Sequence, residues 1–157
     1  MGSSHKIDIG GLLAGGRQRL VIDDRVALEP FEAVKFPQPA EVHLELYPAG
    51  EMLEILGAID VALRTECDRC LELVDRKMHV DVDERIETGE KAQADPLGES
   101  NVLSGDRLDV GDLASQVVCA AVPLAVLCAQ DCKGICTVCG ENKNIGACSC
   151  ARGNGEV

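Results

Sequence analysis

Apolar and polar residues alternate most regularly between Glu41 and Tyr47, where Val42, Leu44 and Leu46 take one side and Glu41, His43 and Glu45 the other. A period of two predicts a strand with one buried and one wet face. Pro48-Ala49-Gly50 predicts a turn. Leu53, Ile55, Gly57, Ile59, Val61 and Leu63 then sustain the period through a long strand, in which Gly57 reads as a bulge. Met78, Val80 and Val82, set against His79, Asp81 and Asp83, predict a further strand that closes a hairpin with the one before. Upstream, Leu20 to Leu28 reads as a strand interrupted by Asp23-Asp24, and Pro30, Pro37 and Pro39 break the stretch between it and Glu41.

The pattern changes beyond Thr88. The run TGEKAQADPLGESNVLSGD (88–106) has no period and mixes Gly, Pro, Ser and charge, which predicts a flexible loop. Asp109 then has the features of a helix N-cap, with Leu108 and Leu113 spaced as a hydrophobic staple. Leu113, Val117, Ala120, Ala121 and Leu124 fall on one side of the predicted helix, which Pro123 must end or kink. MGSSH resembles an added leader, and Leu12-Leu13-Ala14 reads as a helical turn or a loop packed on the sheet.

The expected fold is therefore α+β: a mainly antiparallel β-sheet with one covering helix and a C-terminal cysteine segment. The expected divisions are a leader and N-terminal segment (1–16), a β body (17–87), a flexible acidic loop (88–106), and a helix with a cysteine-rich module (107–157). Such a chain of 157 residues can bury one modest core.

The net charge of −12 disfavours generic phosphate binding. Acid is concentrated in 75–109, with ten acids against five bases, whereas 128–157 carries three of each. This implies a solvated strand face and loop, or a surface for a basic partner such as a ribosomal protein. No run approaches transmembrane length, so no membrane contact and a cytoplasmic location are expected.

Cysteine adds the chemistry. Cys67-x2-Cys70 lies at the predicted hairpin tip, and Cys128, Cys132, Cys136, Cys139, Cys148 and Cys150 occur in close-spaced groups near the end. Two sets of four thiolates are what two tetrahedral zinc ions require. A disulfide framework would need an oxidising compartment, and the N-terminus has no apolar core of secretory length. Gly140 behind Cys139 allows a tight turn whose N–H groups face the sulfur. Cys119 stands apart in the predicted helix, as a buried small residue.

The strand pair around Cys67-Asp68-Arg69-Cys70-Leu71-Glu72, the acidic loop, the helix opening at Leu108-Asp109 and the string Cys132-Lys-Gly-Ile-Cys136-Thr-Val-Cys139-Gly resemble the bacterial YceD family. The resemblance covers most of residues 17–150. It implies a role in accumulation of large-subunit ribosomal RNA, through ribosome assembly or rRNA processing, and brings no established enzyme chemistry. Thr137 stands where family members commonly have Pro, and ARGNGEV ends the chain where they commonly continue, so a contact made by that tail would be missing. Some relatives lack most of the cysteines, which implies that metal supports the fold in this branch.

The resemblance does not say which sulfurs share an ion. By spacing, Cys136, Cys139, Cys148 and Cys150 close one site locally, while Cys67 and Cys70 join Cys128 and Cys132 and staple the C-terminal segment to the hairpin tip. The alternative joins Cys67 and Cys70 to Cys136 and Cys139. Either way protein sulfur fills all four positions, which suits structural zinc and not catalytic zinc.

The expected function is a non-enzymatic ribosome biogenesis factor whose partner is a large-subunit precursor or a basic ribosomal protein. The competing readings are an rRNA-processing nuclease and a thiol-disulfide redox protein using Cys136 and Cys139. Direct RNA binding is the weaker prospect, because Phe31, Phe36 and Tyr47 are the only aromatics for base stacking. Arg17, Arg19 and Arg25, or Arg69 with Lys133 and Lys143, are the basic groups that would touch rRNA in a protein-held complex. His43 and His79 are expected on wet strand faces.

Overall fold

A computed structural model describes residues 5–89, 102–146 and 148–152. Strands β2 (Leu20–Val26), β3 (Ala40–Ala49), β4 (Met52–Glu66) and β5 (Leu73–Glu87) form an antiparallel meander in that order across the sheet. A smaller antiparallel sheet has the order β1 (Lys6–Asp8), β7 (Arg107–Asp109), β6 (Leu103–Ser104). Among the described residues two α-helices occur, α1 (Gly10–Leu13) and α2 (Val110–Ala121), where one covering helix was expected. The Leu12-Leu13 turn is helical because Leu13 and Ala14 N–H groups reach back to the carbonyls of Ile9 and Gly10.

Alternation decides which face of the large sheet is buried. Val42, Leu44 and Leu46 on β3 pair with Ile59, Gly57 and Ile55 on β4, so one apolar row after another turns to the same side. That side packs with Ile9, Leu12, Leu108, Val110, Leu113, Ala114 and Val118 in one core. Burying this apolar surface is the main favourable term in folding. Leu108, expected as half of the staple, is fully buried along with Val102. The wet face carries Asp23, Glu41, Glu45, Asp60, Asp81 and Asp83, interleaved with His43 and His79.

The structure departs from the pattern reading at several points. β2 runs unbroken through Asp23-Asp24, because Asp23 faces outward beside His43 and Asp24 binds His5 at 2.9 Å. Pro48 lies in β3, opposite Leu53, and the turn comes at Gly50 with φ +66°. β2 pairs with β3 only as far as Leu46, so the missing N–H of Pro48 falls where β3 has one neighbour.

The N-terminal residues are also part of the fold. β1 pairs with β7, and Val110 N–H donates to the His5 carbonyl at 3.0 Å. The expected loop lies outside the described residues over 90–101, while its end, 102–106, forms β6 and the turn into β7. Asp109 caps α2 as expected, accepting from Asp112 N–H at 3.1 Å. The helix ends at Ala121, because Val122 before Pro123 is extended. Its buried side is Val110, Leu113, Ala114 and Val118; Leu124 lies past the helix end, fully exposed, and Cys119 is only half-buried.

Gly57 is no bulge, since it pairs one for one with Leu44 on one side and Val82 on the other. The glycine is required by a close approach: a Cβ there would lie 2.0 Å from the His43 carbonyl oxygen and 2.9 Å from Leu44 Cα. The obstruction is backbone, so it cannot swing aside. Gly57→Ala is expected to cost about 3 kcal/mol or more, by forcing β3 from β4 at the centre of the sheet. A denaturant midpoint measured beside that of the parent protein checks this, and an unshifted midpoint would refute it.

Candidate metal centres

The β4–β5 hairpin is longer than the sheet it belongs to. β3 covers β4 only from Met52 to Asp60, so Val61–Glu66 and the facing part of β5 project as a two-stranded ribbon. Such a ribbon is marginal alone and needs cover. Part comes from Lys35, whose backbone exchanges hydrogen bonds with Arg64 at 2.8 Å. The rest comes from the chain after α2. Asp68 N–H donates to the Val126 carbonyl at 2.9 Å, Ile135 N–H to the Arg69 carbonyl at 3.0 Å, and the Arg69 guanidinium to the Cys132 carbonyl at 3.1 Å. Cys67, Cys70, Val74 and Cys132 form a second, small core there, with Val126, Leu127 and Ile135 against it.

This clasp gathers the cysteines. Cys67, Cys70, Cys128 and Cys132 place their Sγ atoms within 4.8 Å of one another, as do Cys136, Cys139, Cys148 and Cys150. These are the two sets favoured from spacing; the alternative of Cys67 and Cys70 with Cys136 and Cys139 is not one of the gathered sets. Sulfurs of Cys67 and Cys132 lie 3.8 Å apart, and those of Cys70 and Cys128 3.6 Å. A tetrahedron with metal–sulfur bonds of about 2.3 Å has edges of about 3.8 Å. The donor sets therefore fit a four-thiolate ion, and no disulfide forms among the described cysteines.

Electrostatics within each set point the same way. Burial pushes the Cys67 thiol up, but N–H groups of Cys70, Cys128 and Arg69 overcome this and bring it down to about 6. Hydrogen bonding with Cys132 and Cys70 pushes Cys128 up to about 12. In the second set, N–H groups of Cys139 and Val138 bring Cys136 down to about 6, while Cys139 pushes Cys150 up to about 12. Crowded sulfurs cannot all ionise unaided, so some keep their protons to spare the others. A divalent cation removes that conflict.

Two features of the site escaped the pattern reading. Asn144 donates from its amide to Cys132 Sγ at 3.3 Å and accepts from Lys133 N–H at 2.8 Å, tying the loop of the second set to a sulfur of the first. It lowers the Cys132 thiol's pKa by this bond. Gly134, at φ +74°, lets that loop pass close over the Arg69 carbonyl, 3.1 Å from where a Cβ would stand. Of the expected basic groups, Arg19 and Arg25 are paired with Glu45 and Glu41. The backbones of Arg69, Lys133 and Lys143 converge around Gly134, Lys143 N–H donating to its carbonyl at 2.9 Å. His43 and His79 are exposed, and hydrogen bonds to Asp23 and Asp60 raise their pKa values.

The two Cys-x2-Cys turns repeat one geometry. Gly140 N–H donates to the Cys136 carbonyl at 2.8 Å with φ +75°; Leu71 N–H donates to the Cys67 carbonyl at 2.9 Å with φ +63°. Leu71 thus occupies a position that suits glycine, and its side chain is exposed. Leu71→Gly is expected to be stabilising by about 1 kcal/mol, and Gly140→Leu destabilising by a similar amount. Thermal melts of the two variants check both signs.

No curated protein and no solved structure matches the chain significantly. The family model described as large ribosomal RNA subunit accumulation protein YceD matches residues 55–156, a span holding the projecting hairpin, α2 and all eight clustered cysteines. A match over that much of the chain, carrying the elements from which both sulfur sets are built, shows that this protein belongs to the YceD family.

Proposed function

We propose that this protein is a non-enzymatic, cytoplasmic ribosome biogenesis factor that supports accumulation or processing of large-subunit rRNA through contacts with protein. The family match carries the reading. In this reading Cys67, Cys70, Cys128 and Cys132 hold one zinc ion, and Cys136, Cys139, Cys148 and Cys150 hold a second. Both ions are structural, because four protein thiolates leave no position for an activated water. The first fastens the C-terminal segment to the hairpin tip; the second closes the loop that Asn144 joins to it. Soft thiolate donors select zinc over magnesium or calcium. The acidic wet face of the large sheet is the side offered to a basic ribosomal protein or a large-subunit precursor. Among the described residues, no helix is long and apolar enough to cross a membrane.

The redox alternative draws on one observation, the thiol of Cys136 brought down to about 6 beside Cys139. Metal content separates the two readings. Protein purified under reducing conditions is expected to carry about two zinc ions per chain, and Cys67→Ser or Cys136→Ser about one each, since the two sets share no ligand. Chelation is expected to expose the amides of residues 126–145 and of the hairpin tip to hydrogen exchange, while β3 and the part of β4 it covers, Met52 to Asp60, stay protected. A metal-free protein with its thiols open to titration would sink the zinc reading.

The functional claim is tested by depleting the protein from its host and measuring mature large-subunit rRNA, which is expected to fall and to be restored by the parent chain. Cys67→Ser and Cys136→Ser are both expected to restore it poorly. Failure of Cys136→Ser and Cys139→Ser alone, with full rescue by Cys67→Ser, Cys148→Ser and Cys150→Ser, would establish the redox reading instead.

A further inference from the structure

β5 is an edge strand of fifteen residues, and the partner on its one paired side is β4. The ends of the hairpin determine which of its backbone groups point outward. Cys67 N–H donates to the Glu72 carbonyl and Thr88 N–H to the Glu51 carbonyl, each at 2.8 Å. Hydrogen-bonded pairs alternate along an antiparallel ladder, so even-numbered residues of β5 bond to β4 and odd-numbered ones turn N–H and C=O away. The Arg64–Lys35 exchange on the opposite side of β4 has the parity this requires. The half of the edge near Arg76 is flanked by the chain at Leu127, whose carbonyl accepts from the Arg76 guanidinium. From Val80 to Glu87, no backbone partner lies on the outer side among the described residues.

Charge narrows what this edge can accept. Asp81, Asp83, Glu84 and Glu87 lie along it; Arg85, the one base among them, is bound to Glu54 at 2.9 Å. Asp81 has a loose contact of 3.5 Å with His79, and Asp83, Glu84 and Glu87 have no ion pair among the described residues. Charge on an edge also guards against self-pairing. Here that guard acts against a second acidic copy of this chain and leaves a basic strand as the complementary occupant.

We propose that Val80–Glu87 of β5 is a strand-addition site for an extended segment of a basic protein partner, one with basic residues alternating with apolar ones. Residues opposite Asp81 and Asp83 share the wet face with those carboxylates and are Lys or Arg. Residues between them continue the inner row of Val80 and Val82 and are apolar. The proposal rests on the reading that the partner is a basic protein, and it names the surface which receives it.

The test uses the purified metal-loaded chain and a synthetic peptide of about ten residues alternating lysine and valine. Binding is expected to slow hydrogen exchange at the amides of Asp81, Asp83 and Arg85, leaving the even-numbered amides as they were. Asp83→Pro removes an outward N–H without touching the β4 ladder, and is expected to weaken binding about tenfold or more. Should that variant misfold, judged by its far-UV spectrum and metal content, Asp81→Lys with Asp83→Lys serves. It is expected to lose the lysine peptide and gain one alternating glutamate and valine. Protection without the odd-residue parity, or unchanged affinity in both variants, overturns the proposal. So does a dimer of this chain that Asp83→Pro dissolves, since the occupant is then a second copy. These readouts need no ribosome, so an rRNA level indifferent to depletion would overturn the biogenesis reading alone. Full rescue by a folded Asp83→Pro chain would overturn the edge alone.

Discussion

Four thiols held within 4.8 Å of one another are a conflict that the fold imposes on itself. Cys67, Cys70, Cys132 and Cys136 have backbone N–H groups that favour their ionised form, and ionisation of one sulfur opposes the same change in its neighbours. The protein divides the load unequally: Cys67 and Cys136 are brought down to about 6, Cys128 and Cys150 pushed up to about 12. A cation at the centre converts that opposition into attraction for all four sulfurs. Past α2 the described residues contain little regular structure, and that segment would depend on such a cation more than on the small apolar cluster of Val126, Leu127 and Ile135.

The hairpin tip would depend on it as well. β4 and β5 run past the edge of β3, and beyond Asp60 their apolar residues can no longer be covered by the four-stranded body alone. The segment from Val126 to Ile135 supplies the missing layer, and the first set of sulfurs lies in the seam between them. A ribbon that would fray in isolation becomes one wall of a second small core. The projecting ribbon and the cysteine-rich tail are thus two halves of one unit, each unable to order without the other.

Strong periodicity made the large sheet readable in advance. β3, β4 and β5 bury a row at every second residue, and Cys67–Cys70 had to fall at the turn between the last two. Grouping of the cysteines was favoured by spacing but not decided by it, because Cys136 and Cys139 have a local partner pair in Cys148 and Cys150 yet could also have joined Cys67 and Cys70; only the fold brings Cys128 and Cys132 to the hairpin tip. What escaped has physical causes. β1, β6 and β7 are too short to display a period. Asp23-Asp24 reads as an interruption only if both acids must be loops, whereas His43 and His5 give each a partner within the sheet. Gly57 marks a close backbone approach and not an inserted residue; a lone glycine in a strand is compatible with either. Asn144 carries no spacing signal, since one amide in a polar loop has nothing to distinguish it until Cys132 is beside it.

Leu71 is a further position where residue type points away from the backbone conformation adopted. Comparing the two Cys-x2-Cys turns within the chain, glycine comes directly after the second cysteine at Gly140 and leucine at Leu71, yet both adopt positive φ and make the same hydrogen bond to the first cysteine's carbonyl. The leucine is exposed, so burial does not repay the backbone cost. Turn geometry at Cys67 is therefore enforced from outside the turn, by strand pairing on both sides and by the clasp of Val126 and Ile135 above it. At Cys136 no long strand pair exists to enforce it, and there glycine supplies the freedom directly.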